Sequence, residues 1–403
     1  MPISTKSLST SAKATATVPI SFEQAYALCI EKARRNIKRL ADEPKSGALA
    51  ADGNYFSFHE PFFNIGNWTS SFHTGMALLA YETTGDRYFL MQSNRLGDWY
   101  RDKVTIHAMD TMHDLGFLYT LYSVATHKLT GDRSARTAGL KAAEELAKRF
   151  IARGGYIQAW GRMDDLKTDY AGLAIIDCMM NLPLLFWASG ETGNRYFREI
   201  AIRHADTTLA NFVRADASVY HAFRYDVATG APAGGDNYCG HDIETHWARG
   251  TAWAIYGFAL AHGHTKDARY LDAAKKIADK YLSLTGSEPI PVWDFRLGSD
   301  MPRMPDTSAA AVAACGFMEL AKHDAAARKK WGKAADAALT ALCTRKYLDT
   351  DIETPGLVRL AQVGDGVIKA PRRYKAKNVY TSWGDYYLME ALAKKLKGVK
   401  GYW

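Results

Sequence analysis

Two kinds of apolar stretch alternate along the chain. In one, nearly every position is apolar, as in 248–261, 309–320 and 174–187. In the other, apolar residues recur at helical spacing beneath a basic outer face, as in 270–281. A shared punctuation separates them. Thr84-Gly85-Asp86-Arg87-Tyr88 is echoed at Thr130-Gly131-Asp132-Arg133, at Thr192-Gly193-Asn194-Arg195-Tyr196 and, decayed, at Thr265-Lys266-Asp267-Ala268-Arg269-Tyr270. Gly supplies a left-handed C-cap that ends one helix, and the Asp or Asn after it caps the next. An apolar helix paired with an amphipathic one predicts two layers, the first kind inside. About six such pairs fit the chain, so the predicted fold is all-α, an (α/α)6 barrel whose cleft is lined by the loops entering the inner helices. Strand-like segments are short and few, such as 155–158 and 292–296. No Pro/Gly-rich linker divides the chain, so 18–403 reads as one domain. Residues 1–17, rich in Ser, Thr, Ala and Lys without an apolar core, read as a disordered tail and not a secretion signal.

Composition narrows the class. The 403 residues are 47% hydrophobic, enough for a large core, yet no run is long and charge-free enough to cross a bilayer. Five cysteines without a CxxC pair point to neither zinc nor a disulfide framework and suggest a reducing compartment, the cytoplasm. The net charge of +8 favours an anionic partner, although an ordinary basic surface carries as much. Lys and Arg are spread along the chain and no nucleic-acid-binding module occurs, which argues against nucleic acid. With ten Trp and 22 Tyr, an anionic carbohydrate fits better, because aromatic faces stack on sugar rings while Arg and Lys meet carboxylates or sulfates.

Candidate chemistry begins at Asp177, set in the most apolar run of the chain, 174–187. A carboxylate there loses hydration, so its ionised form is disfavoured and its pKa should rise. Asp114 heads a second apolar run, 115–118. Two buried helix caps would read the same way. Pro183 is tolerated only in a helix's first turn, which places Asp177 at the barrel mouth. Other unusual residues fall in the same entry loops: Trp68, His113, Trp160, His221, Arg249 and, just inside its helix, Trp253. The twelve histidines show no HxxxH or HExxH spacing, Ser70, Ser71 and Ser308 lack a nucleophile elbow, and the glycines form no phosphate loop. Two acids in an aromatic, basic cleft suggest glycosidic-bond hydrolysis by paired carboxylates.

A set of motifs then becomes specific. Asn67-Trp68-Thr69 with Thr74-Gly75-Met76, His113-Asp114-Leu115-Gly116-Phe117, Asp177-Cys178-Met179-Met180-Asn181-Leu182-Pro183, Trp247-Ala248-Arg249-Gly250 with Ala252-Trp253, Asp306-Thr307-Ser308 and Trp383-Gly384-Asp385-Tyr386 occur in that order over about 55–395. Together they resemble the unsaturated glucuronyl hydrolases of glycoside hydrolase family 88. The resemblance implies an (α/α)6 barrel acting on lyase-made oligosaccharides that end in a Δ4,5-unsaturated uronic acid. It implies Asp177 as general acid/base, protonating C4 of the vinyl ether and then activating water for addition at C5, with Asp114 as the second acid. Trp68, His113, Trp160, His221, Arg249 and Trp253 match substrate-binding positions, and no metal or organic cofactor is implied.

Several positions depart from that pattern. Cys239-Gly240 stands where the family usually has Gln-Gly, Thr251 where Gln is usual, His73 where an aromatic is common, and His246 precedes Trp247. All four are expected to border the cleft. The basic run Lys369, Arg372, Arg373, Lys375, Lys377 reads either as a solvated loop or as a contact for sulfate or carboxylate. The alternatives are an unsaturated rhamnogalacturonyl hydrolase, a sugar epimerase using paired histidines on the same toroid, and a non-catalytic glycan-binding toroid.

Overall fold

The computed structural model describes residues 18–47, 49–50, 52–55, 59–165, 167–362 and 379–403. The expected tail 1–17 and the basic run 369–377 lie outside the described residues. In chain order the helices alternate between two layers. Outer α1 (Phe22–Asp42) leads to inner α2 (Ser70–Thr84), and α3 (Arg87–Asn94) with α4 (Gly97–Thr105) returns outside. The next inner element is α5 (Leu115–Tyr119), continued by a π turn (Thr120–Val124) into α6 (Ala125–Thr130). Then come outer α7 (Arg133–Lys148), inner α8 (Leu182–Thr192), outer α9 (Arg195–Asn211) and inner α10 (Ala248–Thr265). Outer α11 (Ala268–Thr285), inner α12 (Thr307–His323), outer α13 (Arg328–Leu342) and inner α14 (Ser382–Lys397) complete the chain. Each inner element packs on the next, and α14 packs back on α2, so the ring closes as an (α/α)6 barrel.

The layering follows from the residues. Inner α10 buries every residue from Ala248 to Ala261, whereas outer α11 buries one stripe of Tyr270, Ala273, Ala274, Ile277, Ala278 and Tyr281. The punctuation does what its residue types dictate. Gly85, Gly131 and Gly193 sit at φ of 72°, 74° and 71° as left-handed C-caps, and Asp86, Asp132 and Asn194 accept amide hydrogens from the helices they start. At the decayed copy Lys266 takes the same cap at φ 62°, a conformation that a side chain strains. No helix among the described residues is long and apolar enough to cross a membrane.

The run 174–187 divides into strand β1 (Leu173–Ile175), a 3-10 turn (Ile176–Met180) and α8, which puts Asp177 on the turn ahead of the helix. Strand β1 pairs antiparallel with β2 (Ala222–Tyr225), which pairs with β3 (Pro232–Asp236). Pro183 falls in the first turn of α8 as expected, and the apolar residues before it find partners across a sheet. The strand expected at 155–158 is Tyr156–Ile157, paired with Phe150–Ile151, while 292–296 contributes only isolated bridges. At the far end of the barrel the last residues fill the ring: Trp403 stacks on Tyr387 and donates to Glu390, and Tyr402 donates to Glu82.

Candidate active site

All six inner elements begin at one end of the barrel, and the candidate residues gather there. Asp114 occupies the N-cap position of α5 yet makes no side-chain cap bond, so its carboxyl is not committed to the helix. Asp177 lies on the 3-10 turn that β1 feeds. The β1–β2 register, extended by the Ile176 amide donating to the His221 carbonyl at 3.0 Å, sets His221 beside that turn. Asn181 ties the two acid-bearing segments: its Oδ1 accepts the Phe117 amide at 2.8 Å and its Nδ2 donates to the Asp177 carbonyl at 3.3 Å. Gly116 makes this approach possible, because a Cβ there would lie 2.2 Å from the Asn181 Cα.

Both acids are held above the usual carboxylate range. Burial pushes Asp114 well up, the charge of Asp177 adds to it, and Arg149 and Asn181 oppose. Burial raises Asp177 to about 6, against the pull of Arg249, and its Oδ2 is buried with no hydrogen-bond partner. The apolar setting therefore does raise Asp177, and the nearby guanidinium limits the rise. Two anions so placed repel each other, so whichever of the pair ionises second does so at the higher pH.

The histidines are neutral. His113, its Nε2 3.5 Å from Asp114 Oδ1, is driven well below the usual histidine range by burial, with Arg149 and two other histidines adding to it. Burial takes His221 to about 3. Its Nδ1 accepts the amides of Tyr238 and Cys239 at 3.0 and 3.1 Å, which leaves the ring proton on Nε2.

Arg249, in the first turn of α10, is buried and donates to Asp306 and Ser308, both at 3.2 Å, and to the Gln362 carbonyl. Its guanidinium lies over Trp247 and Trp383, 4.5 and 5.2 Å from the ring centres. Trp68 is partly exposed and stacks on Trp383 at 4.8 Å. Trp160, also partly exposed, meets Tyr170 and Tyr238 edge-on. Trp253 is a correction: it is fully buried between Phe117 and Tyr387 and has no face to offer a sugar.

A buried Asp114 beside the neutral His113, a half-buried Asp177 and an Arg–Trp wall form a carbohydrate-type site, and the model of Glycosyl Hydrolase Family 88 matches residues 51–393. The chain belongs to glycoside hydrolase family 88. An unsaturated glucuronyl hydrolase from Bacillus sp. (strain GL1) is 36% identical over 342 residues, 84% of this chain and 88% of that one. An unsaturated chondroitin disaccharide hydrolase from Streptococcus pyogenes serotype M1 is 37% identical, covering 83% of each chain. The crystal structure of the Bacillus sp. GL1 unsaturated glucuronyl hydrolase superposes with a TM-score of 0.84 at 34% identity, covering 95% of this chain and 99% of that one. The protein is a glycoside hydrolase of this family.

The departures from the family 88 pattern sort by position. Cys239, partly exposed, lies within reach of the charges of Arg249 and Asp177, and burial pushes its thiol up to about 12. Thr251 spends its hydroxyl on the Trp247 carbonyl of its own helix. His73 packs against Tyr55, and His246 packs on Phe295 facing Arg214, Arg296, Asp216 and Lys280. These three do not share the setting of the acid pair. Sequence reasoning gave no role to Asn181, to Asp306 or to Arg149. Asn181 and Asp306 sit inside the quoted motifs, but Arg149 ends an outer amphipathic helix, where an arginine reads as a solvated charge.

Proposed function

We propose that this family 88 enzyme releases a Δ4,5-unsaturated uronic acid from the non-reducing end of oligosaccharides left by a polysaccharide lyase. The observation that carries the reading is Asp177: a carboxyl with one oxygen free of protein partners and a pKa lifted to about 6. Such a group holds a transferable proton in mildly acidic solution. The proton goes to C4 of the vinyl ether as the C4=C5 π bond breaks, and positive charge develops at C5, shared with the ring oxygen. The resulting Asp177 carboxylate takes a proton from water as the water oxygen bonds to C5. The product is a hemiketal whose ring opens. The anomeric carbon is then a hemiacetal that expels the leaving sugar without direct attack on the glycosidic bond.

Asp114 would accept from the sugar hydroxyls, and the Nε2–H of His221 and the neutral ring of His113 would line the same pocket. Trp68 and Trp160 would flank the sugar, while Arg249 acts through its charge on Asp177. One catalytic unit over 18–403 in a cytoplasmic enzyme fits this reading, with the substrate as its anionic partner. Because relatives act on unsaturated chondroitin disaccharides by name, a chondroitin-lyase disaccharide is the first substrate to try. Loss of the near-ultraviolet absorbance of the conjugated double bond reads the reaction. A pectin-derived unsaturated disaccharide, assayed beside it, separates this function from rhamnogalacturonyl hydrolysis.

A further inference from the structure

Arg149, the C-cap residue of α7, is buried, with 2% of its surface exposed. Its guanidinium is saturated by main-chain oxygens: Nε donates to Gln158 at 2.8 Å, Nη1 to Thr111 at 2.9 Å, and Nη2 to Ala159, Trp160 and Gly161 at 3.1, 3.1 and 3.0 Å. No carboxylate lies within ion-pair distance of it among the described residues. The five carbonyls come from two walls of the cleft, the 158–161 loop that carries Trp160 and the segment that leads from Thr111 into His113 and Asp114. The same walls are tied once more by the His113 amide donating to the Ala159 carbonyl at 3.0 Å.

A buried guanidinium with only neutral partners keeps its full charge in a medium that screens poorly. The carboxylate it acts on most is Asp114. The other groups facing Asp114 are Asp177 and Asn181 from the segment before α8 and His113 beside it in sequence; Cys178, in the same segment as Asp177, lies near both Asp114 and Arg149. Among them Arg149 is the one permanent cation, since His113 is neutral.

We propose that Arg149 is a positioning residue for catalysis: it fixes the Trp160 loop against the acid-bearing segment and keeps a positive charge beside Asp114. The inference rests on the reading of Asp114 and Trp160 as parts of the sugar site. Lysine keeps the charge but cannot fork across two walls, while methionine keeps bulk and loses both.

The test measures KM, kcat and pH profiles on an unsaturated chondroitin disaccharide for wild type, Arg149→Lys, Arg149→Met, Trp160→Ala and the Lys/Ala double variant. Arg149→Lys should raise KM about tenfold with the pH profile unchanged. Its effect should vanish in the Trp160→Ala background, because the clamp acts through that loop. Arg149→Met should also move the higher ionisation of the profile upward, since a carboxyl that loses a neighbouring cation binds its proton more tightly. Where the methionine variant fails to fold, the lysine variant and the cycle decide. A folded lysine variant with unchanged KM, or additive effects in the cycle, overturns the proposal. A wild-type enzyme inert toward unsaturated disaccharides overturns the functional reading, and this inference with it.

Discussion

Asp177 is costly to the fold in proportion to its use. Its pKa rises from 3.8 to about 6 on folding, so the native state binds its proton more tightly than the unfolded chain. Stability is therefore lost as pH climbs from the unfolded value through about 6, and the loss is complete above it. Asp177→Asn removes the charge that burial disfavours. It should stabilise the protein by about 1–2 kcal/mol at pH 7 and by almost nothing below pH 4, measured by urea unfolding. The same ionisation governs turnover: kcat/KM of the wild type should fall as pH rises through about 6, because the acid form of Asp177 disappears. An activity that climbs steadily from pH 6 to 8 would exclude Asp177 as the proton donor. Asp177 was legible because its sequence neighbours are also its spatial neighbours. Arg149 was not, since what buries it are loop carbonyls that no local pattern announces. Trp253 misled for a related reason: its motif position is right, but the ring is wholly buried among core aromatics.

At the scale of elements, the Gly-Asp punctuation translated directly into C-cap and N-cap geometry, because caps depend on local backbone alone. Its decayed copy supplies a clean test. Lys266 holds a left-handed cap that glycine fills elsewhere in the barrel, and its side chain is exposed. Lys266→Gly should stabilise the protein by about 0.5–1 kcal/mol without changing kcat, read from the unfolding midpoint and the steady-state rate. The division of 174–187 escaped the pattern because a short, fully buried apolar run has no periodicity to distinguish strand from helix. What decides it is the antiparallel partner 222–225, nearly fifty residues away by count of the chain. That same pairing sets His221 beside the turn that carries Asp177.

For the whole molecule, the alternation of apolar and amphipathic helices was enough to predict a closed ring, since an inner helix that is apolar all round must be covered on every side. Closure directs the start of each inner element to one end, where the partial positive charges of helix N-termini favour an anionic ligand. The net charge of +8 works in the same direction, though the converging helix ends are what localise it. The ring leaves the acids at the mouth, and of the departures from the family pattern Cys239 is the one within reach of the Asp177 charge. The absorbance of an unsaturated chondroitin disaccharide, mixed with wild type or with Asp177→Asn, reads the proton transfer itself. Wild type should bleach the conjugated double bond and release the amino sugar. The folded variant should slow that loss by about 10³-fold or more while still binding the disaccharide. Bleaching by Asp177→Asn at the wild-type rate would contradict the account.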